Sequence, residues 1–79
     1  MSADLPNIYA DFHNADELGR VRLNCAGTLE DLESKRISLQ EGLVVWLFDG
    51  EELGTRGVCR FSAEEMIWVA VIDWEALKS

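Results

Sequence analysis

Three segments late in the chain, LVVWLF at residues 43–48, LGTRGVCRF at 53–61 and MIWVAVIDW at 66–74, are separated only by the short polar stretches DGEE and SAEE. Residues on opposite sides of each segment alternate at period two, the repeat of an extended strand. Connections this short force consecutive strands to run antiparallel, because a parallel neighbour needs a crossover of roughly a dozen residues or more. An antiparallel meander is therefore the frame into which everything upstream has to fit. Gly57, in the middle of the second segment, predicts a bulge or sharp bend.

Two further segments carry the strand signal. In NIYADF, residues 7–12, Ile8, Ala10 and Phe12 share one face. In RVRLNC, residues 20–25, Val21, Leu23 and Cys25 alternate with Arg20, Arg22 and Asn24, one face for a core and one for water. Ile37 and Leu39 suit a brief sixth strand. Between these the period changes. Thr28 followed by Asp31 is close to a capping box, and Leu29 and Leu32 stand at i, i+3 spacing. Glu30 and Asp31 at the start and Lys35 and Arg36 at the end match the helix dipole, which predicts a short helix over 29–35. The fold class expected is mainly β, α+β at the margin. It is a small antiparallel, strongly bent sheet or partly closed barrel of five or six short strands with one short helix near 29–35.

A chain of 79 residues supports one domain, 1–79, with a loose lead at 1–6 and a frayed tail at 75–79. A domain this short buries only roughly 60% of its unfolded surface, which leaves little material for a cofactor cavity. The net charge of −8 repels nucleic-acid phosphates and anionic membranes at long range. The opening MSADLPN lacks the basic-then-apolar pattern of a secretory signal, and the apolar runs are too short to span a bilayer. The reading is a cytoplasmic chain with reduced thiols, no membrane partner and no nucleic-acid partner.

The groups that catalysis and metal binding require are sparse. His13 is the one histidine. With Cys25 and Cys59 it does not make a zinc site, which takes about four Cys or His ligands in suitable spacing. Asp11, His13, Asp16 and Glu17 read as a solvated loop. Cys25 and Cys59 fall on the apolar register of their strands and read as small core residues. No glycine-rich phosphate loop is present. No catalytic residue, no metal ligand and no cofactor is assigned, and the chain is read as not an enzyme.

Two features rise above this background. Arg20 and Arg22 share one strand face, and Arg56 and Arg60 share another around Val58. If the two faces coincide they make a basic patch able to hold a phosphate-bearing ligand. The competing reading is pairing with acidic neighbours on adjacent strands. The second feature is the aromatic set Trp46, Phe48, Trp68 and Trp74, on strands apolar on both faces. An open sheet buries one face by itself. Either a helix covers the other, or an apolar face remains for a protein partner or a homodimer.

The segments NIYADFHNAD, RVRLN, GTLEDL and WVAVIDW resemble a group of short, uncharacterised bacterial proteins. The stretch DLESKRISLQEGLVVWLF is similar to the part of PilZ-type β-barrels around their DxSxxG motif, with Asp31, Ile37, Leu39 and Gly42 in like places. That likeness implies a small barrel. PilZ domains bind cyclic di-GMP through RxxxR and DxSxxG. In this chain Glu33 stands at the serine and Arg36 at the glycine, and Arg20 and Arg22 do not form RxxxR.

Two functions are therefore expected in competition. One is a non-enzymatic interaction module using a Trp-bearing sheet face or an edge strand. The other is a small-ligand sensor holding a nucleotide or cyclic dinucleotide over Arg20, Arg22, Arg56 and Arg60.

Overall fold

The computed structural model describes residues 5–50 and 53–77. The strands are β1 (Asn7–Tyr9), β2 (Val21–Arg22), β3 (Val44–Phe48), β4 (Gly54–Ser62) and β5 (Ile67–Ile72). One helix, α1 (Ala26–Ser34), lies between β2 and β3, and a single 3-10 turn, Trp74–Ala76, follows β5. The strands form one curled sheet in the order β1-β3-β4-β5-β2, a half-barrel with one short helix. The expected mainly-β architecture is what forms. The ends of the expected lead and tail, residues 1–4 and 78–79, lie outside the described residues, as do Glu51 and Glu52 of the β3–β4 turn. Within the expected tail, Leu77 packs against the core.

The meander β3-β4-β5 is antiparallel as its short turns dictate, and β2 joins β5 antiparallel. β1 departs from the expected antiparallel sheet by pairing with β3 in parallel, Asn7 opposite Trp46 and Tyr9 opposite Phe48. The chain between them is long enough for this, because it crosses to the far edge as β2 and returns through α1. Gly57 makes no bulge. It pairs in unbroken register with Val45 and Ile72, and a Cβ there would press Leu47, Ala70 and Ile72 at 3.0–3.2 Å. Ile37 and Leu39 form no strand and pack on the core from irregular chain.

Alternation sorts the sheet into two faces. The inner face holds Ile8, Val21, Val45, Leu47, Cys59 and Ala70, all fully buried, and Ala10, Phe12 and Leu23 close over them from the loops. The outer face carries Tyr9, Trp46, Phe48, Arg56, Val58, Arg60, Val69 and Val71.

Helix α1 begins three residues earlier than the sequence suggests, with Cys25 as N-cap and no side-chain cap. Glu30 and Asp31 are therefore mid-helix and Leu29 is 52% exposed, so the expected capping box and Leu29–Leu32 face do not form. The competing use of these side chains is the outer edge of β1. The buried Thr28 hydroxyl donates to the Tyr9 carbonyl at 2.6 Å, and the Tyr9 N–H donates to Asp31 Oδ2 at 2.8 Å. Lys35 Nζ donates to the Asn7 carbonyl at 2.8 Å. The helix is pressed close: a Cβ at Gly27 would lie 2.6 Å from Tyr9 Cδ2, so only glycine fits. At its far end Arg36 takes a left-handed φ of 55°, and the Ile37 N–H closes back on the Leu32 carbonyl at 2.9 Å.

The opposite edge is also occupied. The Arg22 N–H donates to the Asn14 carbonyl and the Asp16 N–H to the Arg20 carbonyl, each at 2.8 Å, so the 14–16 segment runs along β2.

Thr28→Val keeps the volume at this buried site but removes the donor to the Tyr9 carbonyl. A buried acceptor left unpaired costs about 1–3 kcal/mol. Urea unfolding of Thr28→Val should give a lower midpoint with an unchanged slope.

Candidate functional site

The alternation of β3, β4 and β5 sets three valines in one cross-strand row on the outer face, Val44 opposite Val58 and Val58 opposite Val71. Val44 is 38% and Val71 44% exposed. Trp46 stands in the next row, opposite Arg56 and Asn7, and is 39% exposed. Its indole is seated over bare backbone: a Cβ at Gly54 would come within 2.8 Å of Trp46 Cζ2. Scattered exposed apolar residues are ordinary on any protein, but these three in neighbouring rows, joined through the half-buried Val58, form a contiguous patch.

The four aromatic candidates do not share this surface. Phe48 is on the outer face, but its corner is covered. Tyr9 meets it edge-on at 6.4 Å, and Lys35 Nζ lies 5.6 Å from its ring centre. Trp68 alternates to the inner face, packs on the core and meets Phe61 edge-on at 5.4 Å. Trp74 lies in the 3-10 turn, where its Nε1–H donates to the Gly19 carbonyl at 2.8 Å. Trp46 alone of the four fronts the valine row.

The arginines are placed closer together than the sequence allows one to read. Val69 of β5 sits in register between Arg60 of β4 and Arg22 of β2. It is fully buried although it is not part of the inner core, so the two arginine stems are its natural cover. Both guanidinium groups are occupied. Arg22 holds Glu65 through two bonds of 2.8 Å and donates to the Ala15 carbonyl at 2.9 Å. Arg60 Nε is 3.0 Å from Glu41 Oε1, and Glu41 Oε2 in turn accepts from the Phe61 N–H at 2.7 Å. Arg20 is bound to Asp16 at 2.7 Å and lies near Glu64 at 3.8 Å. Arg56 is exposed and has no ion-pair or hydrogen-bond partner among the described residues.

An open cleft of about 240 Å³ runs beside Arg20 and is lined by Asp16, Glu17, Leu18, Ser62, Glu64 and Glu65. Its walls are mostly carboxylates, so it does not present a free cation to a phosphate. Asp16 organises it. Burial pushes the Asp16 carboxyl up, but bonds from the Arg20 N–H, the Arg20 guanidinium and the Leu18 N–H outweigh this and hold its pKa below the usual carboxylate value. The paired Arg22 guanidinium likewise lowers Glu65. His13 is fully exposed beside Asp11. Cys59 is buried, which pushes its thiol up to about 11 and keeps it protonated. Among the described residues no three His, Cys, Asp or Glu side chains are grouped to hold a metal ion. No helix among them is long and apolar enough to cross a membrane.

The valine row and the acidic partners Asp16, Glu41 and Glu65 are what sequence reasoning missed. Val58 between two arginines was the available signal for the row. Nothing local signals that Glu65 meets Arg22.

No family model matches the chain, and no curated protein and no solved structure matches it.

Two outcomes test this geometry. Asp16 and Glu65 have lowered pKa values in the folded chain, so their stabilisation is complete above the unfolded carboxylate pKa of about 4 and is lost as pH falls through the lower folded values. Urea midpoints should drop through that acid window, and Asp16→Asn should be weaker at neutral pH yet lose less on acidification. Gly54→Ala should leave the chain folded, because an exposed indole can swing aside. Its Trp46 indole N–H cross-peak should move in a two-dimensional NMR spectrum while those of Trp68 and Trp74 stay.

Proposed function

We propose that the chain is a non-catalytic, cytoplasmic binding module whose outer sheet face takes a protein partner. The observation that carries this reading is the cross-strand row of exposed Val44, half-buried Val58 and exposed Val71, with exposed Trp46 beside it. Tryptophan is the kind of large aromatic anchor that dominates binding energy at interfaces, and Trp46 stands beside the row. Helix α1 covers the Tyr9–Phe48 corner and stops there, so no element of the described chain lies over the rest of the face. Strand addition is the less supported route, since helix side chains occupy the β1 edge and the 14–16 segment the β2 edge.

The sensor reading has less behind it. A phosphate over the arginines would have to displace Asp16, Glu65 and Glu41 from groups they already hold. Cys25 and Cys59, which are not bonded to each other, suit a reducing compartment.

The test is selection of phage-displayed random twelve-residue peptides on the full chain, in parallel with the Trp46→Ala variant. Enriched peptides should bind the wild type and lose at least tenfold in affinity on Trp46→Ala. They should also shift the backbone amides of residues 44, 46, 58 and 71. Peptides that bind both forms equally, or no enrichment at all, would remove the face from the reading.

A further inference from the structure

We infer that the partner of this face is a protein segment carrying a carboxylate next to apolar side chains, with Arg56 as the receptor of that carboxylate. The inference rests on the binding role proposed above and specifies the chemistry of what is bound.

The argument starts from what the chain does with its cations. It has fifteen acidic residues and seven basic ones, so an arginine on the sheet usually has a carboxylate within reach, whereas Arg36 in the loop after α1 has none among the described residues. Arg20, Arg22 and Arg60 each hold one. Arg56 holds none among the described residues. Its position is not incidental, because it is in register with Trp46 and one row from the Val44–Val58–Val71 stripe. The acid that follows β5, Asp73, accepts from the Glu75 N–H through Oδ1 at the start of the 3-10 turn and makes no ion pair with Arg56. An apolar stripe with one open guanidinium at its margin is complementary to an apolar segment with one carboxylate at the matching place. The planar fork of arginine receives a carboxylate through two parallel bonds, which fixes orientation as well as adding attraction. Seating apolar side chains on Trp46 and the valines would exclude water beside that pair and strengthen it.

Other occupants fit less well. Nucleic-acid binding draws on several phosphate contacts at once, and beside this stripe Arg56 is the one open arginine among the described residues, on a chain of net charge −8. A second copy brings the same net charge against itself and offers its own outer face, whose charged groups near the stripe are again arginines.

The test uses twelve-residue peptides selected on the wild-type full chain, resynthesised, and titrated against wild type, Arg56→Glu and Trp46→Ala. Residue 56 is exposed, so Arg56→Glu should fold, and its amide spectrum checks this. The expected result is selected peptides rich in Asp or Glu beside Leu, Ile, Val or Phe. Their affinity should fall at least tenfold on Arg56→Glu and recover on that variant when the peptide acid is changed to Lys. Peptides that need Trp46 but bind Arg56→Glu equally well would overturn the acidic-partner inference while the binding face stands. An absence of Trp46-dependent peptides would overturn the face and this inference together.

Discussion

At Tyr9 the outer backbone edge of β1 presents one N–H and one carbonyl that no strand reaches, and helix α1 answers them with Asp31 and Thr28. An unpaired backbone group at a half-buried edge is costly, and an open edge invites pairing with other chains. The two bonds remove both problems, and they also fix where the helix can be. Gly27 lets the helix backbone settle on the Tyr9 ring, and the ring in turn meets Phe48 edge-on. With Lys35 reaching back to the Asn7 carbonyl, the helix is committed to the β1 corner. It is nine residues long and cannot also lie across β4 and β5. The openness of the Val44–Val58–Val71 row follows from where the helix had to go.

The arginines show the same economy of position. Val69 lies on the solvent side of the sheet, yet it is fully buried between Arg60 and Arg22. Each guanidinium is anchored at its head, Arg22 by Glu65 and Arg60 by Glu41, in register on either side of the valine, which suits their stems to cover it. Exposed ion pairs are individually worth about 0–1 kcal/mol, too little to explain their placement as pairs. Burying a valine is worth about 1.5–3 kcal/mol, so the apolar cover is the larger effect. The contrast with Arg56 is sharp, since its cross-strand neighbour Trp46 stays 39% exposed and no carboxylate among the described residues anchors it.

The sequence is most legible where local chemistry decides the outcome. Period-two alternation and short polar turns define the meander, because connection length leaves no alternative to antiparallel pairing. The helix is found but misplaced. Thr28, Glu30 and Asp31 have the spacing of a helix start, and their spacing carries no trace of the β1 edge that Thr28 and Asp31 serve. The parallel β1–β3 pairing is equally hidden, since it depends on a crossover of more than thirty residues. For the candidate site, period two assigns Trp46 and Trp68 to one face or the other of their own strands, but both faces there are apolar. Only register tells that Trp46 points outward and Trp68 inward. Arg22 and Glu65 are 43 residues apart, and no local pattern connects them.

A face that is apolar and bordered by arginine on a chain of net charge −8 combines two opposed fields. The chain as a whole repels any acidic approach at long range, including that of its own copies, which opposes self-association through the valine row. At physiological ionic strength this repulsion is screened over about 8 Å, so it governs encounter more than contact. Once a segment is seated, the groups that count are those within a few ångströms, and at the stripe the open one is a cation. For the proposed partner this implies slow, selective capture. For the segment proposed here, long-range steering would contribute little, and the match of one carboxylate and a few apolar side chains to Arg56, Trp46 and the valine row would decide what stays bound.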